Sequence, residues 1–170
     1  MKTMAATAML IALFIPHAAS AEEDRQQTRI QLQDITDRQR RSGDNAGLCR
    51  SLGGVAQTDY LLGRQDEAIA AASEAVSVCG SVKDRSGQAM AWNLMGNSWC
   101  LLGRLAEARQ AYDDALPLYK AVQDRLGQAN TLMSLGNLER RLGRLAEARQ
   151  AYDDALPLFK AEQDRQGQAN

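Results

Sequence analysis

A 40-residue repeat constrains the fold of this chain more than any other feature of its sequence. Residues 104–130 and 144–170 are identical at 24 of 27 positions, and residues 64–90 match the 104–130 copy at 11 of the same 27. A fixed period of this length is typical of stacked supersecondary units, each of which buries its apolar face against its neighbours. The sequence therefore predicts a repeat architecture, which offers surfaces for partners more readily than enclosed active sites.

Two kinds of turn divide each unit into two helices. A Gly between Leu and Arg fits the position after a helix end, where a left-handed backbone costs Gly least. An Asp-x-x-Gly motif then ends one unit and begins the next. The glycines are Gly63, Gly103 and Gly143, and the motifs begin at Asp44, Asp84, Asp124 and Asp164. The pattern predicts an all-α fold of antiparallel hairpins, with helices at about 45–62, 65–82, 87–102, 105–122, 127–142 and 145–162.

The repeat spacing also predicts the domain organisation. Residues 22–43 read as an N-terminal capping helix, and residues 44–170 as a repeat domain. Its units are about 44–83, 84–123 and 124–163, and residues 164–170 match the start of a further, truncated repeat. A fragment of a longer protein and a short protein whose last helix is its own cap are both open interpretations.

The first 21 residues predict a secretory signal peptide. Lys2 precedes the uncharged segment 4–15, and Ala19-Ser20-Ala21 supplies the small residues of a cleavage site after Ala21. The apolar segment is shorter than the roughly 20 residues that span a membrane. We therefore expect an exported protein, periplasmic or secreted and bacterial; the alternative is a buried N-terminal helix.

Composition argues against several functional classes. Without Lys2 the chain carries 19 basic and 21 acidic residues, a charge of about −2, which does not indicate nucleic-acid binding. Its one histidine, His17, lies in the predicted signal peptide, so we expect no catalytic residue, metal site or cofactor. The carboxylate pairs Asp113-Asp114 and Asp153-Asp154 are sequence neighbours that point about 100° apart on a helix, so they are not expected to act together in acid–base catalysis.

Three cysteines, Cys49, Cys79 and Cys100, would enter an oxidising compartment on export. In a hairpin that turns near Gly63, facing residues have numbers that sum to about 127 or 128, as Cys49 and Cys79 do. This geometry predicts a Cys49–Cys79 disulfide and leaves Cys100 as an unpaired thiol. Two buried thiols are the alternative.

The motif residues resemble those of a known family. Trp92-x-x-Met95-Gly96-x-x-Trp99, followed by Ala108, Tyr112 and Ala115, resembles the tetratricopeptide repeat, as does Leu132-x-x-Leu135-Gly136-Asn137 with Ala148, Tyr152 and Ala155. The 40-residue period resembles that of the longer subclass found in kinesin light chains. The first unit departs from the pattern, with Ala56 in place of the Gly and Ala72 in place of the Tyr. The resemblance implies a right-handed superhelix whose first helices line a concave groove.

Positions that match the family's groove form the candidate binding site. They are Tyr60, Met90, Asn93, Asn97, Met133, Asn137, Arg140 and Arg141. Asn97 and Asn137 could donate to and accept from the backbone of an extended peptide; stabilisation of the local turns is the alternative. Arg140 and Arg141 would attract an acidic ligand or remain solvated, and the methionines could form an adaptable apolar floor. Trp92 and Trp99 are expected to belong to the core.

These features predict an exported scaffold that binds a protein or peptide in its groove and catalyses no reaction. The alternative functions are a truncated regulatory arm of a larger enzyme or signalling protein and a structural spacer. We expect no nucleic acid or membrane span, and self-association through the exposed C-terminal repeat is a further expectation.

Overall fold

The computed structural model describes residues 15–168, apart from the side chains of 15–19, 164 and 166–168. In this part of the chain seven helices follow one another without a strand. They are α1 (Ile15–Ser42), α2 (Asn45–Leu61), α3 (Gln65–Ser81), α4 (Arg85–Leu101), α5 (Leu105–Ala121), α6 (Arg125–Arg141) and α7 (Leu145–Gln168). Most of the predicted signal peptide lies outside the described residues, and α1 begins within its last part.

Two alternating turns connect the helices. After each first helix of a hairpin, a Gly adopts the left-handed backbone conformation, with φ between +75° and +76° at Gly63, Gly103 and Gly143. Between hairpins, an Asp caps the next helix by accepting a hydrogen bond from a Gly N–H, as Asp84 does from Gly87 at 2.9 Å. Because the Asp is the cap, α4 and α6 begin two positions earlier than the sequence predicted, at Arg85 and Arg125.

The helices stack as hairpins in an α-solenoid. Each helix packs against the helices before and after it, and the first helices α2, α4 and α6 also contact one another along the stack. Within the described part of the chain, neighbouring second helices make no close backbone contact. The stack is therefore narrower on the side of the first helices, which makes that side concave.

A glycine–tyrosine contact fixes the hairpins of the second and third units. A Cβ added at Gly96 would lie 2.5 Å from the Tyr112 ring, and one at Gly136 would lie 2.5 Å from the Tyr152 ring. Real Cβ atoms do not approach so closely, so these helices can cross at this distance only because the first helix has no side chain there. The first unit has Ala56 and Ala72 instead, both fully buried.

A different residue pair fills the open end of each hairpin. In the first unit Cys49 and Cys79 form a disulfide, with their Cα atoms 5.0 Å apart. The two cysteines are 2% and 1% exposed, respectively. The equivalent residues one repeat later are Ala89 and Tyr119, which pack together in one buried cluster. The disulfide therefore occupies the space that an alanine and a tyrosine fill in the next unit.

The C-terminal end differs from the prediction. The sequence predicted that the last helix ends near 162 and that 164–170 begin a further repeat, but α7 runs unbroken to Gln168. Residues 165–170 are by themselves too few to form a stable helix. Continuing α7 instead gives the backbone groups of residues 165–168 intrahelical partners. Residues 169–170 lie outside the described part.

Candidate peptide-binding groove

The predicted groove residues all lie on the first helices. Tyr60 is on α2, Met90, Asn93 and Asn97 are on α4, and the other four are on α6. The side chains of Met90 and Met133 are 54% and 42% exposed, and Asn137, Arg140 and Arg141 are exposed as well. Asn93, Asn97 and Tyr60 are half-buried. Helix α4 therefore turns Trp92, Met95 and Trp99 toward the core and presents a second face outward.

Asn97 is the centre of a hydrogen-bond network that connects three helices. Its Oδ1 accepts from the Tyr112 hydroxyl at 2.9 Å and from the Ser134 hydroxyl at 3.5 Å. Its Nδ2 donates to Asn93 Oδ1 at 3.3 Å, and Asn93 Nδ2 donates to Thr131 Oγ1 at 2.7 Å. The carboxamide oxygen of Asn97 thus accepts two hydrogen bonds within the protein, whereas its amide nitrogen has one N–H without a partner in the described residues.

Asn137 repeats this arrangement in the third unit. Its Oδ1 accepts from the Tyr152 hydroxyl at 2.9 Å, and its Nδ2 donates to no atom of the described residues. The sequence analysis predicted that each asparagine is both a donor and an acceptor for a ligand. The structure pairs the acceptor with a tyrosine hydroxyl and leaves the donor without a partner in the described residues.

Burial controls the protonation of the tyrosine beneath Asn97. Burial raises the pKa of the Tyr112 phenol well above its ordinary value, and the neighbouring Cys100 thiol raises that pKa further. Tyr112 therefore remains a neutral hydroxyl that can donate to Asn97. Cys100, the one cysteine outside the disulfide, is half-buried at this position.

The first helices present arginines to solvent but no exposed carboxylate. Their two acidic residues, Asp59 and Glu139, are only 1% and 3% exposed. Arg50, Arg140 and Arg141 are exposed, and Arg141 Nη1 also donates to the Cys100 carbonyl at 2.6 Å. The electrostatic field of the groove side is therefore set by guanidinium groups.

The two buried acids form matching ion-pair clusters between units, which the sequence interpretation missed. Asp59 lies 3.0 Å from Arg29 Nε and 4.0 Å from Arg64 Nη1. Glu139 pairs with Arg109 and lies 3.3 Å from Arg144 Nη1. In both clusters one arginine lies 30 positions before the acid in the sequence and the other lies 5 positions after it. That shared pattern could have been found by aligning the chain at the repeat period.

Within the described residues, no three His, Cys, Asp or Glu side chains are grouped so that they could hold a metal ion. No helix in the same part of the chain combines the length and apolarity needed to cross a membrane.

Comparison with known proteins agrees with this architecture. Residues 87–161 match the family model described as tetratricopeptide repeat. The TPR domain of Arabidopsis FLU is similar in structure, with a TM-score of 0.62 and 20% identity over 66% of this chain and 95% of that domain. MamA, with a TM-score of 0.41, is 17% identical over 76% of this chain and 97% of its own. BtubC (BKLC) from P. vanneervenii, with a TM-score of 0.40, is 14% identical over 86% and 90%.

The search of curated proteins found no match. At 20% identity the FLU domain supports the fold alone, and the assignment to the longer, 40-residue subclass stays a prediction. The match over residues 87–161, the glycine–tyrosine contacts and the stacked hairpins together show that the chain has the tetratricopeptide repeat fold, an architecture that serves as a scaffold for protein interaction.

Proposed function

We propose that the protein is an exported scaffold that captures an extended, acidic peptide or protein segment on the concave side of its first helices. The observation that carries the proposal is the combination of amide N–H donors that lack a partner in the described residues and exposed arginines, on first helices that carry no exposed carboxylate. Nothing in this mechanism requires a catalytic residue of the chain.

Different groove residues would contact the backbone and the side chains of the ligand. The N–H groups of Asn97 and Asn137 donate to backbone carbonyls of the ligand, which does not depend on ligand sequence. Arg140 and Arg141 pair with ligand carboxylates, and Met90 offers an adaptable apolar contact. Affinity would come from several modest contacts on a preformed surface, with little ordering cost.

A displayed library of random peptides, panned on the immobilised chain, tests this proposal. The enriched peptides should be acidic, and they should lose binding to an Arg140→Glu, Arg141→Glu variant. An Arg149→Glu, Lys160→Glu variant makes the same charge change on α7, away from the groove, and should retain binding. Equal loss in both variants, or enrichment of basic peptides, would refute the groove assignment.

A second comparison isolates the amide donors. Asn137→Asp keeps an oxygen for the Tyr152 hydroxyl but removes the Nδ2 donor, whereas Asn137→Ala removes both. We expect a peptide selected on the unmodified chain to bind either variant more weakly. If an uncharged selected peptide binds the Asp variant as well as the unmodified chain, Asn137 stabilises the hairpin and does not contact the ligand.

We also propose export, which the segment 1–21 and a cysteine pair at bonding distance both support. Expression in a bacterial host should yield a periplasmic protein that begins at Glu22. N-terminal sequencing checks this expectation, and a cytoplasmic protein that retains Lys2 would contradict it.

Self-association through α7 is a further part of the proposal. Leu145 and Leu156 are 68% and 52% exposed, whereas Leu105 and Leu116, one repeat earlier, are half-buried. A second copy that covers this face would remove apolar area from water. Light scattering should then show concentration-dependent dimers that Leu145→Glu, Leu156→Glu abolishes, and a monomer at all concentrations would rule it out.

A further inference from the structure

Two clefts open on the convex side, between neighbouring second helices. The first lies between α1 and α3 above α2 and measures about 260 Å³, and the second lies between α5 and α7 above α6 and measures about 240 Å³. We call the second one the α5–α7 cleft. It is separate from the concave groove, because its floor is the opposite face of the first helix.

The two clefts are built from the same repeat positions. Each residue that lines the α5–α7 cleft has a counterpart two repeat periods earlier in the other cleft. The lining residues are Arg109, Leu132, Leu135, Glu139, Glu147, Gln150, Ala151 and Asp154. The hollow is therefore a property of the junction between units and not an accident of one side-chain conformation.

The middle junction shows which chemistry fits these positions. Between α3 and α5 the wall formed by the later helix is unchanged from that of the α5–α7 cleft, with Glu107, Gln110, Ala111 and Asp114 on α5, whereas Ile69 on α3 stands where α5 has Arg109. The floor carries Trp92, Met95 and Trp99 where the α5–α7 cleft has Leu132, Leu135 and Glu139. These larger side chains pack into the neighbouring core clusters. At the same repeat positions the chain thus places indole rings at one junction and a hollow at the next.

The α5–α7 cleft is more accessible than its counterpart at the N-terminal end. There, Arg40 on α1 and Glu74 on α3 both line the cleft and form an ion pair of 2.8 Å across it. At the C-terminal junction the corresponding residues are Lys120 and Asp154, both described, and they form no ion pair with each other. Asp154 instead accepts a hydrogen bond from Gln150 on its own helix, so the rim is open.

We propose that the α5–α7 cleft binds an aromatic side chain, preferably an indole, presented by a protein or peptide partner. The ring would lie on Leu132 and Leu135 in the volume that tryptophans fill one junction earlier. The carboxylates of Glu147 and Asp154 on the rim favour a basic residue beside the aromatic one. Glu139 is already neutralised by two arginines and remains part of the scaffold.

A titration followed by NMR tests the proposal with N-acetyltryptophanamide as the probe. Saturable shifts are expected at the backbone amides of Gln150, Ala151 and Asp154 in the unmodified chain. N-acetylleucinamide, which has less apolar surface, should bind about fivefold more weakly. The concave-groove variant Arg140→Glu, Arg141→Glu should show the same shifts as the unmodified chain, because its substitutions lie outside the cleft.

A variant that fills the cleft provides the matched control. Leu132→Trp, Leu135→Met and Glu139→Trp copy the floor of the middle junction and Arg109→Ile copies its α3 wall; the variant with all four changes should fold and lose the shifts. If the variant with four substitutions does not fold, Ala151→Leu, a single change in the cleft wall, is used instead to fill the cleft. The proposal is overturned by absence of saturable shifts in the unmodified chain, by equal affinity for the leucine amide, or by undiminished shifts in a folded filled variant.

Discussion

Replacing the disulfide with the residue pair of the next unit tests whether the repeats are physically equivalent. Cys49→Ala and Cys79→Tyr would give the first hairpin the pair that Ala89 and Tyr119 form in the second. Gly87 lies against both sulfur atoms, as Gly127 lies against the Tyr119 ring. The first hairpin therefore already has a glycine where a tyrosine ring needs one.

The magnitudes follow from the loop and from the buried area. The disulfide joins cysteines with a sequence separation of 30, and closing such a loop in the unfolded chain is worth about 3–4 kcal/mol. The control Cys49→Ala, Cys79→Ala loses this contribution and leaves unfilled space. A buried tyrosine ring restores about 2–3 kcal/mol of apolar burial and packing. The free energy of unfolding should thus be highest for the oxidised chain, intermediate for Ala–Tyr and lowest for Ala–Ala.

Urea unfolding followed by far-ultraviolet circular dichroism measures the three values. The experiment is repeated with a reductant, which should lower the stability of the unmodified chain and leave both variants unchanged. If Ala–Tyr is no more stable than Ala–Ala, the disulfide does not stand in for the tyrosine. In that case the first hairpin differs from the second in more than one residue pair.

Three further predictions concern the packing of the hairpins. Gly96→Ala should destabilise the fold by about 2–4 kcal/mol in urea unfolding, because the added Cβ would meet the Tyr112 ring. The control is Gly53→Ala, whose added Cβ has no atom within 4 Å. This change should stabilise the fold by about 0.5–1 kcal/mol. Glu139→Gln should cost about 1–3 kcal/mol, since two arginines that are half exposed lose a buried carboxylate; an unchanged urea midpoint would contradict this. Burial, and to a lesser extent the nearby Asp124 carboxylate, raises the pKa of the Tyr119 phenol from 10.0 to about 12. The contribution of the neutral phenol to the stability of the fold is therefore complete below pH 10 and is lost as the pH rises toward 12. Tyr119→Phe, a ring already accepted at Phe159, should therefore show a smaller fall in melting temperature over that range, and parallel curves would refute the assignment.

The fold was predictable because its signals are local and repeated. The left-handed glycines and the Asp caps are each visible in the sequence, and together they define two helices in every repeat. The same local signal was misleading at the C-terminal end. Asp164-x-x-Gly167 is the motif that ends a hairpin at Asp124, yet α7 continues through it. A four-residue motif of this kind therefore does not by itself end a helix.

The orientation of the groove side chains was predictable from helical spacing, but their hydrogen-bond partners were not. Asn97 faces outward as its spacing indicates, while its oxygen is bound by Tyr112, a residue 15 positions away on the next helix. Such contacts depend on the crossing distance that Gly96 permits. Helical spacing could therefore predict a partly exposed carboxamide on α4 without determining which half of it is hydrogen-bonded within the protein.

The convex side shows why near-identity between repeats is a poor guide to binding sites. Helices α5 and α7 have the same rim residues, so a comparison of second helices alone predicts equivalent surfaces. The difference arises beneath them, where Trp99 occupies in one junction the position that Glu139 holds in the next. An acid at that position recruits arginines and leaves a hollow, whereas an indole fills it. In this stack the near-identical helices α5 and α7 form similar walls, and the floor residues of the first helices determine which junctions are hollow.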